Sequence, residues 1–237
     1  MYFVGDFDGK EFKALSIDYP LWIDTGADNY AGVTWSNTPD GSVKLIGWMN
    51  NWNYAGASPV KPWRSAMTLP RELTLKEIGG KIRLASRPVA EIEKIAGTWA
   101  EIADGDFSSK LAGNVCSHLC VEIPTLADGK ITLENDNNQK FEISINKTFG
   151  LMLVARDNKT GDVSFNGIFS LPSIQSPLPE GDSLTLDIFI DQSSVEIFSE
   201  DGTLVQTNLV YPNKAYHAVS ISGFDAKMKV RSLKSIW

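Results

Sequence analysis

One string in the sequence looks like a metal site: Cys116-Ser117-His118-Leu119-Cys120 places two thiols and an imidazole at alternate positions. Sulfur and imidazole nitrogen are ligands that Zn²⁺ prefers. The run continues into an apolar segment typical of a strand, where alternate residues on one face lie about 6.6 Å apart. Zinc bonds are only about 2.0–2.3 Å long, so a straight strand holds these ligands too far apart. The spacing favours free thiols, and we predict no metal ion and no cofactor.

Two further groups could take part in chemistry. Asp6 and Asp8 resemble the alternating carboxylates of a calcium loop, but a hairpin turn at Asp8-Gly9 accounts for them. His217 could serve as a general base, yet no serine or cysteine nucleophile is identifiable beside it. We therefore assign no catalytic residue to this chain.

The elements that position these residues are predicted to be strands. Every second residue from Leu184 to Ile190 is apolar, and the same period of two recurs at 130–134 and 141–145. Side chains alternate across a strand, so this pattern indicates half-buried antiparallel sheet. Helical periodicity is limited to about two turns near 89–96. The fold class is predicted to be all-β.

The composition of the chain changes near residue 90. Four of the seven tryptophans lie close together in the first part: Trp22, Trp35, Trp48 and Trp52. The later part is rich in Ser, Asn, Asp, Leu and Ile, and Arg87-Pro88 interrupts the pattern at the change. We predict two domains, residues 1–90 and residues 91–237, of which the second is long enough for a two-sheet sandwich.

Charge and hydropathy exclude several classes of protein. With 22 Lys and Arg against 29 Asp and Glu, the net charge of −7 argues against a nucleic-acid partner. No apolar run reaches the roughly 18 residues that a membrane helix needs, so no membrane partner is predicted. The 43% hydrophobic and 22% charged residues are those of a folded globular protein.

Five dense strings carry a family resemblance. They are YFVGDFDG (residues 2–9), DTGADNYA (24–31), GWMNNWNY (47–54), WRSAMTLPREL (63–73) and DIFIDQSSVEIF (187–198). In this order and spacing they resemble glycoside hydrolase family 32, the levanases, exo-inulinases and invertases that cleave β-fructosides. The resemblance spans essentially the whole chain. It implies an incomplete, C-terminal portion of a five-bladed β-propeller, of one or more partial blades, in residues 1–90, followed by an antiparallel β-sandwich in residues 91–237.

The family's catalytic motifs are missing from this sequence. The resemblance implies retaining hydrolysis by an Asp nucleophile and a Glu acid/base, with a third Asp that holds the sugar. These acids stand in Trp-Met-Asn-Asp-Pro, Arg-Asp-Pro and Glu-Cys strings. Here Asn51 occupies the place of the acid in Trp48-Met49-Asn50-Asn51, Arg156-Asp157 is followed by Asn158, and neither cysteine follows a glutamate. We therefore expect a C-terminal fragment of a β-fructosidase that is inactive alone, with Met1 marking the cut.

The resemblance also implies residues that contact sugar. Trp52 is predicted to form part of the wall of the fructose pocket, and Asp24 to hydrogen-bond sugar hydroxyls at its rim. Thr25 replaces the usual Tyr of the family at the position after Asp24. Arg71 and Glu72 are predicted to make structural ion pairs.

Alternative functions remain open at the sequence level. The sandwich could brace the propeller and mediate association, or, with less support, act as a carbohydrate-binding module. The expected partners are a fructan or sucrose-type carbohydrate, and either the missing propeller half or a second copy that covers residues 1–90. The resemblance implies a secreted or periplasmic parent enzyme.

Overall fold

The structure is a computed structural model, and it describes residues 1–15, 20–114 and 116–234. The last three residues of the predicted second domain lie outside this part. The regular elements in the described residues are strands and three short 3-10 helices, which lie at Ala55–Ala57, Ala90–Lys94 and Ser108–Leu111. The first seven strands are β1 Gly5–Phe7, β2 Phe12–Ala14, β3 Tyr30–Thr34, β4 Val43–Met49, β5 Ala66–Met67, β6 Arg71–Ile78 and β7 Lys81–Pro88. The all-β prediction is confirmed.

Twelve further strands form two facing sheets, here called the sandwich. They are β8 Ala100–Ile102, β9 Gly105–Asp106, β10 Ser117–Ile123, β11 Gly129–Glu134, β12 Lys140–Asn146, β13 Leu151–Arg156, β14 Leu171–Pro177, β15 Leu184–Ile190, β16 Ser194–Ser199, β17 Val205–Leu209, β18 Ala218–Ser222 and β19 Lys227–Ser232. One sheet has the order β17-β16-β15-β10-β19-β8, and the other β14-β13-β12-β11-β18-β9. The pairings in both sheets are antiparallel, as the alternating pattern predicts.

The core of the sandwich lies between the two sheets. Leu186 and Ile188 of β15 are fully buried in it, as the alternation predicts, and Asp187 between them points to the other face. Ile143 and Val154 from the opposite sheet belong to the same cluster. The sequence period of two therefore sorts these side chains into core-facing and outward-facing sets.

The N-terminal sheet is smaller and has an uncovered edge. Its strands have the order β3-β4-β6-β7, and the short β5 pairs with the end of β4. All five residues of β3 are exposed, and β3 forms the edge of this sheet. The largest exposed apolar side chains of the described residues concentrate in this part of the chain, and they include Trp22, Val33, Trp35, Trp52 and Trp63.

A short segment joins the N-terminal sheet to the sandwich. β7 ends at Pro88 and β8 begins at Ala100, so the predicted boundary near residue 90 lies in this segment. The two turns of helix predicted there form as a 3-10 helix, Ala90–Lys94. The division into two domains itself stays a prediction. No helix among the described residues has the length and apolar character needed to cross a membrane.

Candidate functional site: an aromatic surface beside buried ion pairs

The predicted pocket residue Trp52 lies in the turn that follows β4. Its side chain is 73% exposed. Its ring centroid is 5.0 Å from that of Trp48, and the Trp48 ring meets Tyr30 edge-on at 6.3 Å. These three rings, Tyr30, Trp48 and Trp52, are here called the aromatic surface. They provide a large, rigid and amphipathic contact area with little rotamer freedom to lose.

Two asparagines hold the turn that presents Trp52. The Asn50 side chain is fully buried, and its Nδ2 donates to Ser65 Oγ at 2.9 Å. Asn50 Oδ1 accepts the backbone N–H of Asn51 at 2.8 Å, and Asn51 Nδ2 donates to the carbonyl of Ala27 at 3.0 Å. Asparagine side chains commonly stabilise turns in this way. The Asn-Asn pair of the motif therefore fixes the backbone, and the next residue is left exposed.

The segment of residues 24–28 lies along β17, the edge strand of the sandwich. The backbone N–H of Thr25 donates to the carbonyl of Val205 at 2.9 Å. A side chain at Gly26 would place its Cβ 2.2 Å from the carbonyl oxygen of Thr207, so only glycine permits this approach. The segment therefore covers backbone groups that an edge strand would otherwise expose.

The predicted sugar ligand Asp24 is buried in this segment. Its Oδ1 accepts the backbone N–H groups of Gly26 at 2.8 Å and Thr207 at 3.0 Å. Its Oδ2 accepts from Asn29 Nδ2 at 3.1 Å, from Arg71 Nη1 at 2.8 Å and from Thr207 Oγ1 at 2.6 Å. Both carboxylate oxygens are thus engaged within the chain.

Arg71 joins Asp24 to the sandwich as a fully buried cation. Its Nη2 donates to Glu196 at 2.9 Å and to Thr207 Oγ1 at 2.6 Å. Glu196 also accepts the backbone N–H of Leu69 at 3.0 Å. Burial raises the pKa of Glu196, and the Arg71 charge opposes that rise. The ion pairs predicted for Arg71 are therefore with Asp24 and Glu196.

A second buried cluster surrounds Asp28. Its Oδ2 accepts from Arg156 Nη1 at 2.6 Å and from the backbone N–H of Leu209 at 2.8 Å. The Tyr54 hydroxyl donates to Oδ1 and accepts from Arg156 Nη2 at 3.0 Å. Burial, with the Asp28 charge, raises the pKa of Tyr54 well above its ordinary value. Tyr54 therefore stays protonated and acts as a donor.

The cleft that Asp24 borders does not include the other predicted sugar-contacting residue, Trp52. Asp24 borders a cleft of about 650 Å³, whose other lining residues include Trp22, Tyr30 and Gln175. Trp52 is not among those lining residues, although Tyr30 belongs both to the cleft and to the aromatic surface. Sugar contact by Trp52 and by Asp24 stays a prediction.

The Cys-His string lies at the start of β10, where Leu119 faces the core and His118 and Cys120 lie on the other face. Cys116 and Cys120 are free thiols. Burial raises the pKa of Cys116 to about 12, together with the hydrogen bond that its thiol donates to Asp191 at 2.9 Å. Burial likewise raises the pKa of Cys120 to about 11. Neither thiol is a thiolate near neutral pH, and no group of ligands in the described ranges is placed to hold a metal ion.

His118 belongs to a separate buried network on the same face. Its ring stacks on Phe189 with centroids 4.1 Å apart, and its Nε2 lies 2.7 Å from Asp187 Oδ1. Arg231 Nε donates to His118 Nδ1 at 3.2 Å, and both Arg231 Nη atoms reach the Glu93 carboxylate at 2.6 Å. Burial lowers the pKa of His118 below its ordinary value. The neutral ring therefore accepts from Arg231 at Nδ1 and donates to Asp187 from Nε2.

Sequence reasoning missed the two sandwich residues that complete these buried clusters, Glu196 as a partner of Arg71 and Arg156 as a partner of Asp28. Glu196 lies in β16, where Val195 and Ile197 face the core and Glu196 and Phe198 face the other way. An apolar residue such as Phe198 on the outward face indicates, from sequence alone, that other residues bury this face too. Arg156 offered no comparable signal, because nothing near it in sequence indicates its partners.

Comparison with known proteins places the chain in a family. Residues 1–88 match the model of the glycosyl hydrolases family 32 N-terminal domain, and residues 95–236 match that of the glycosyl hydrolases family 32 C terminal. The chain belongs to glycosyl hydrolase family 32, as the five strings of the sequence indicated.

Individual relatives and solved structures agree with this assignment. The levanase of Bacillus subtilis (strain 168) is 34% identical over 100% of this chain and 38% of its own length. The extracellular exo-inulinase inuE of Aspergillus niger is 32% identical over 100% of this chain and 48% of its own. The crystal structure of exo-inulinase from Aspergillus awamori superposes with a TM-score of 0.84 at 26% identity, over 99% of this chain and 50% of that one. The chain thus spans half or less of the length of these relatives.

Replacement of Arg71 should destabilise the protein strongly. In Arg71→Met the Asp24 and Glu196 carboxylates stay buried without their shared cation, and breaking a buried pair in this way costs about 3–5 kcal/mol. The free energy of unfolding, measured by urea denaturation, should fall by that amount. Arg83→Met, in the neighbouring strand β7 and partly exposed, is the matched control and should change it by no more than about 0.5 kcal/mol. Equal losses in the two variants would contradict a special role for Arg71.

His118 should make the protein less stable as the pH falls from 7 to 5. Its pKa is lowered in the folded state, so below the ordinary value of about 6.5 the unfolded chain binds the extra proton. His118→Gln removes that difference, and its free energy of unfolding should fall less over the same range. The difference in slope should approach about 1.4 kcal/mol per pH unit. Parallel pH profiles of the two chains over this range would contradict the prediction.

Proposed function

We propose that the chain is the C-terminal part of a β-fructosidase, which supplies the end of the propeller and the sandwich. One observation carries the proposal: relatives match this chain from end to end, yet it spans only 38% of the levanase and 48% of the exo-inulinase. The three acidic motifs of the family are missing from it. The nucleophile and the acid/base would therefore come from the part of the enzyme that precedes the matched region.

The N-terminal sheet has the size of one propeller blade. Blades are four-stranded antiparallel sheets, and the order β3-β4-β6-β7 supplies four strands. The exposure of β3, with apolar Val33 in it and Trp35 next to it, supports the view that another part of the complete protein covers this edge. The covering part would be the missing propeller half or a second copy of the chain.

The substrate class that we propose is a fructan or a sucrose-type sugar, and hydrolysis would retain the configuration at the anomeric carbon. Trp52 would form one wall of the pocket with its exposed indole face. Asp24 would accept a sugar hydroxyl in place of the Asn29 amide, whose 3.1 Å contact is the longest of its five hydrogen bonds. The name of the exo-inulinase relative describes it as extracellular, which supports a secreted parent enzyme.

A scaffolding role for the sandwich is the second candidate. The buried pairs Arg71–Glu196 and Arg156–Asp28 connect it to the N-terminal part, which favours a bracing function. The carbohydrate-binding alternative would need a row of exposed aromatic rings on one face of the sandwich. The four rings that the sequence offers for such a row are buried or half-buried, namely Phe165, Phe169, Tyr211 and Tyr216, and among the described residues of the sandwich Phe149 is a single exposed ring.

The purified chain should release no fructose from levan, inulin or sucrose. Without an Asp nucleophile and a Glu acid/base, neither step of a retaining mechanism has its reacting group. Reducing-sugar release should equal that of buffer, while the levanase of Bacillus subtilis serves as the positive control under the same conditions. Release above the buffer level that follows the chain through purification would overturn the proposal.

The N-terminal sheet should behave as an incomplete structure in solution. We expect either self-association in X-ray scattering or fast hydrogen exchange of the amides of β3, with those of β12 in the sandwich core as protected internal controls. Val33→Asp, which adds charge to an exposed apolar position, should weaken any association. A compact monomer in which β3 and β12 are equally protected would contradict the need for a covering partner.

A further inference from the structure

Trp52 itself has little to hold it in place. Its side chain is 73% exposed, and the described ring contact is with Trp48. Its position therefore depends on the backbone on either side. Asn50 and Asn51 anchor the turn before it, and Tyr54, two residues later, anchors the turn after it.

Tyr54 is a buried residue of this turn. Its side chain is 3% exposed, and its ring meets Phe169 edge-on with centroids 5.0 Å apart. Its hydroxyl is shared between Asp28, to which it donates, and Arg156, from which it accepts at 3.0 Å. The ring and the hydroxyl therefore fix both the depth and the direction of the turn against the sandwich.

Arg156 is the residue of the sandwich that completes this arrangement. It ends β13, it is 1% exposed, and its guanidinium carbon lies 3.8 Å from the centroid of the Phe169 ring. Its Nε donates to the carbonyl of Phe169 at 2.8 Å, and its Nη1 donates to Asp28 at 2.6 Å and to the carbonyl of Leu209 at 3.1 Å. A planar guanidinium with donors on three nitrogens satisfies this geometry, whereas a lysine ammonium does not.

We infer that Arg156 is a positioning residue: from the sandwich it holds the Trp52 turn in place, by way of Tyr54 and Asp28. The inference rests on the proposed function, because it gives the sandwich a part in shaping the sugar pocket. The geometry requires no direct contact between Arg156 and Trp52. It follows that one route from the sandwich to the site runs through a buried side chain, beside the hydrogen bond that Asn166 Nδ2 donates to the carbonyl of Asn53 at 3.1 Å.

A separate buried arginine of the sandwich distinguishes positioning from general stability. Arg231 is 4% exposed and pairs with Glu93 in the segment that joins the two parts of the chain. Its guanidinium carbon lies 4.3 Å from the centroid of the Trp99 ring. Arg231→Lys should therefore destabilise the protein much as Arg156→Lys does, but disturb a different tryptophan.

The experiment uses the 237-residue chain labelled with 5-fluorotryptophan and observed by fluorine NMR. Trp52→Phe and Trp99→Phe assign the two reporter resonances. In Arg156→Lys, the Trp52 resonance should shift by more than its linewidth or split, while that of Trp99 stays unchanged. In Arg231→Lys the Trp99 resonance should move and that of Trp52 should not.

Tyr54→Phe tests the same connection with a smaller change. It removes the hydroxyl that Arg156 and Asp28 share and keeps the ring. We therefore expect Tyr54→Phe to fold even in the case that Arg156→Lys fails to fold. The Trp52 resonance should move in this variant as well. A Trp52 resonance that coincides with the native one in folded Tyr54→Phe, and in Arg156→Lys where that variant folds, would overturn the inference.

Fructo-oligosaccharide titration separates this inference from the proposed function. If sugar shifts the native Trp52 resonance and Arg156→Lys weakens that response, both proposals are supported. If sugar leaves Trp52 unchanged while Arg156→Lys displaces it, sugar contact by Trp52 fails and the positioning role stands. Displacement of Trp52 by Arg231→Lys to the same extent would show a merely structural effect and would overturn the positioning role.

Discussion

Two buried carboxylates in residues 24–28 connect the N-terminal part to the sandwich. Asp24 is paired with Arg71, and Asp28 with Arg156. Burying an ion costs several kcal/mol unless every charge and lone pair finds a partner, and here the backbone of β17 supplies the remaining donors. Removing any one of these partners would therefore leave a buried carboxylate or guanidinium without part of its hydrogen bonding. The relative position of the two parts is therefore fixed by polar contacts that tolerate little displacement.

This constraint links the aromatic surface to the sandwich. The turn that carries Trp52 lies on the same cluster as Asp28, because Asn51 bonds the carbonyl of Ala27 and Tyr54 bonds Asp28. Through these contacts the sandwich would influence the geometry of the sugar pocket that we propose. The bracing role and the positioning role that we propose would both arise from the same buried contacts.

Membership of glycosyl hydrolase family 32 gives the exposed surfaces a physical reason. The sandwich buries its own core, whereas the N-terminal sheet leaves β3 and several large apolar rings exposed. An exposed apolar face and an unpaired edge strand are both costly features for an isolated domain. Both are expected if this sheet is the propeller blade that we propose, with its neighbours in a part of the protein that corresponds to the length of the relatives not spanned here.

The sequence alone determined the features that depend on local pattern. The period of two from Leu184 to Ile190 predicted a strand with one buried face, and the string around Trp52 indicated the family. Only the tertiary structure showed that both oxygens of Asp24 are engaged within the chain, and that Arg156 meets Asp28 across 128 positions of sequence. Partners so far apart leave no local periodicity, because their pairing arises only when the sheets pack. Strand alternation is a property of neighbouring residues, whereas a buried ion pair is a property of the assembled fold.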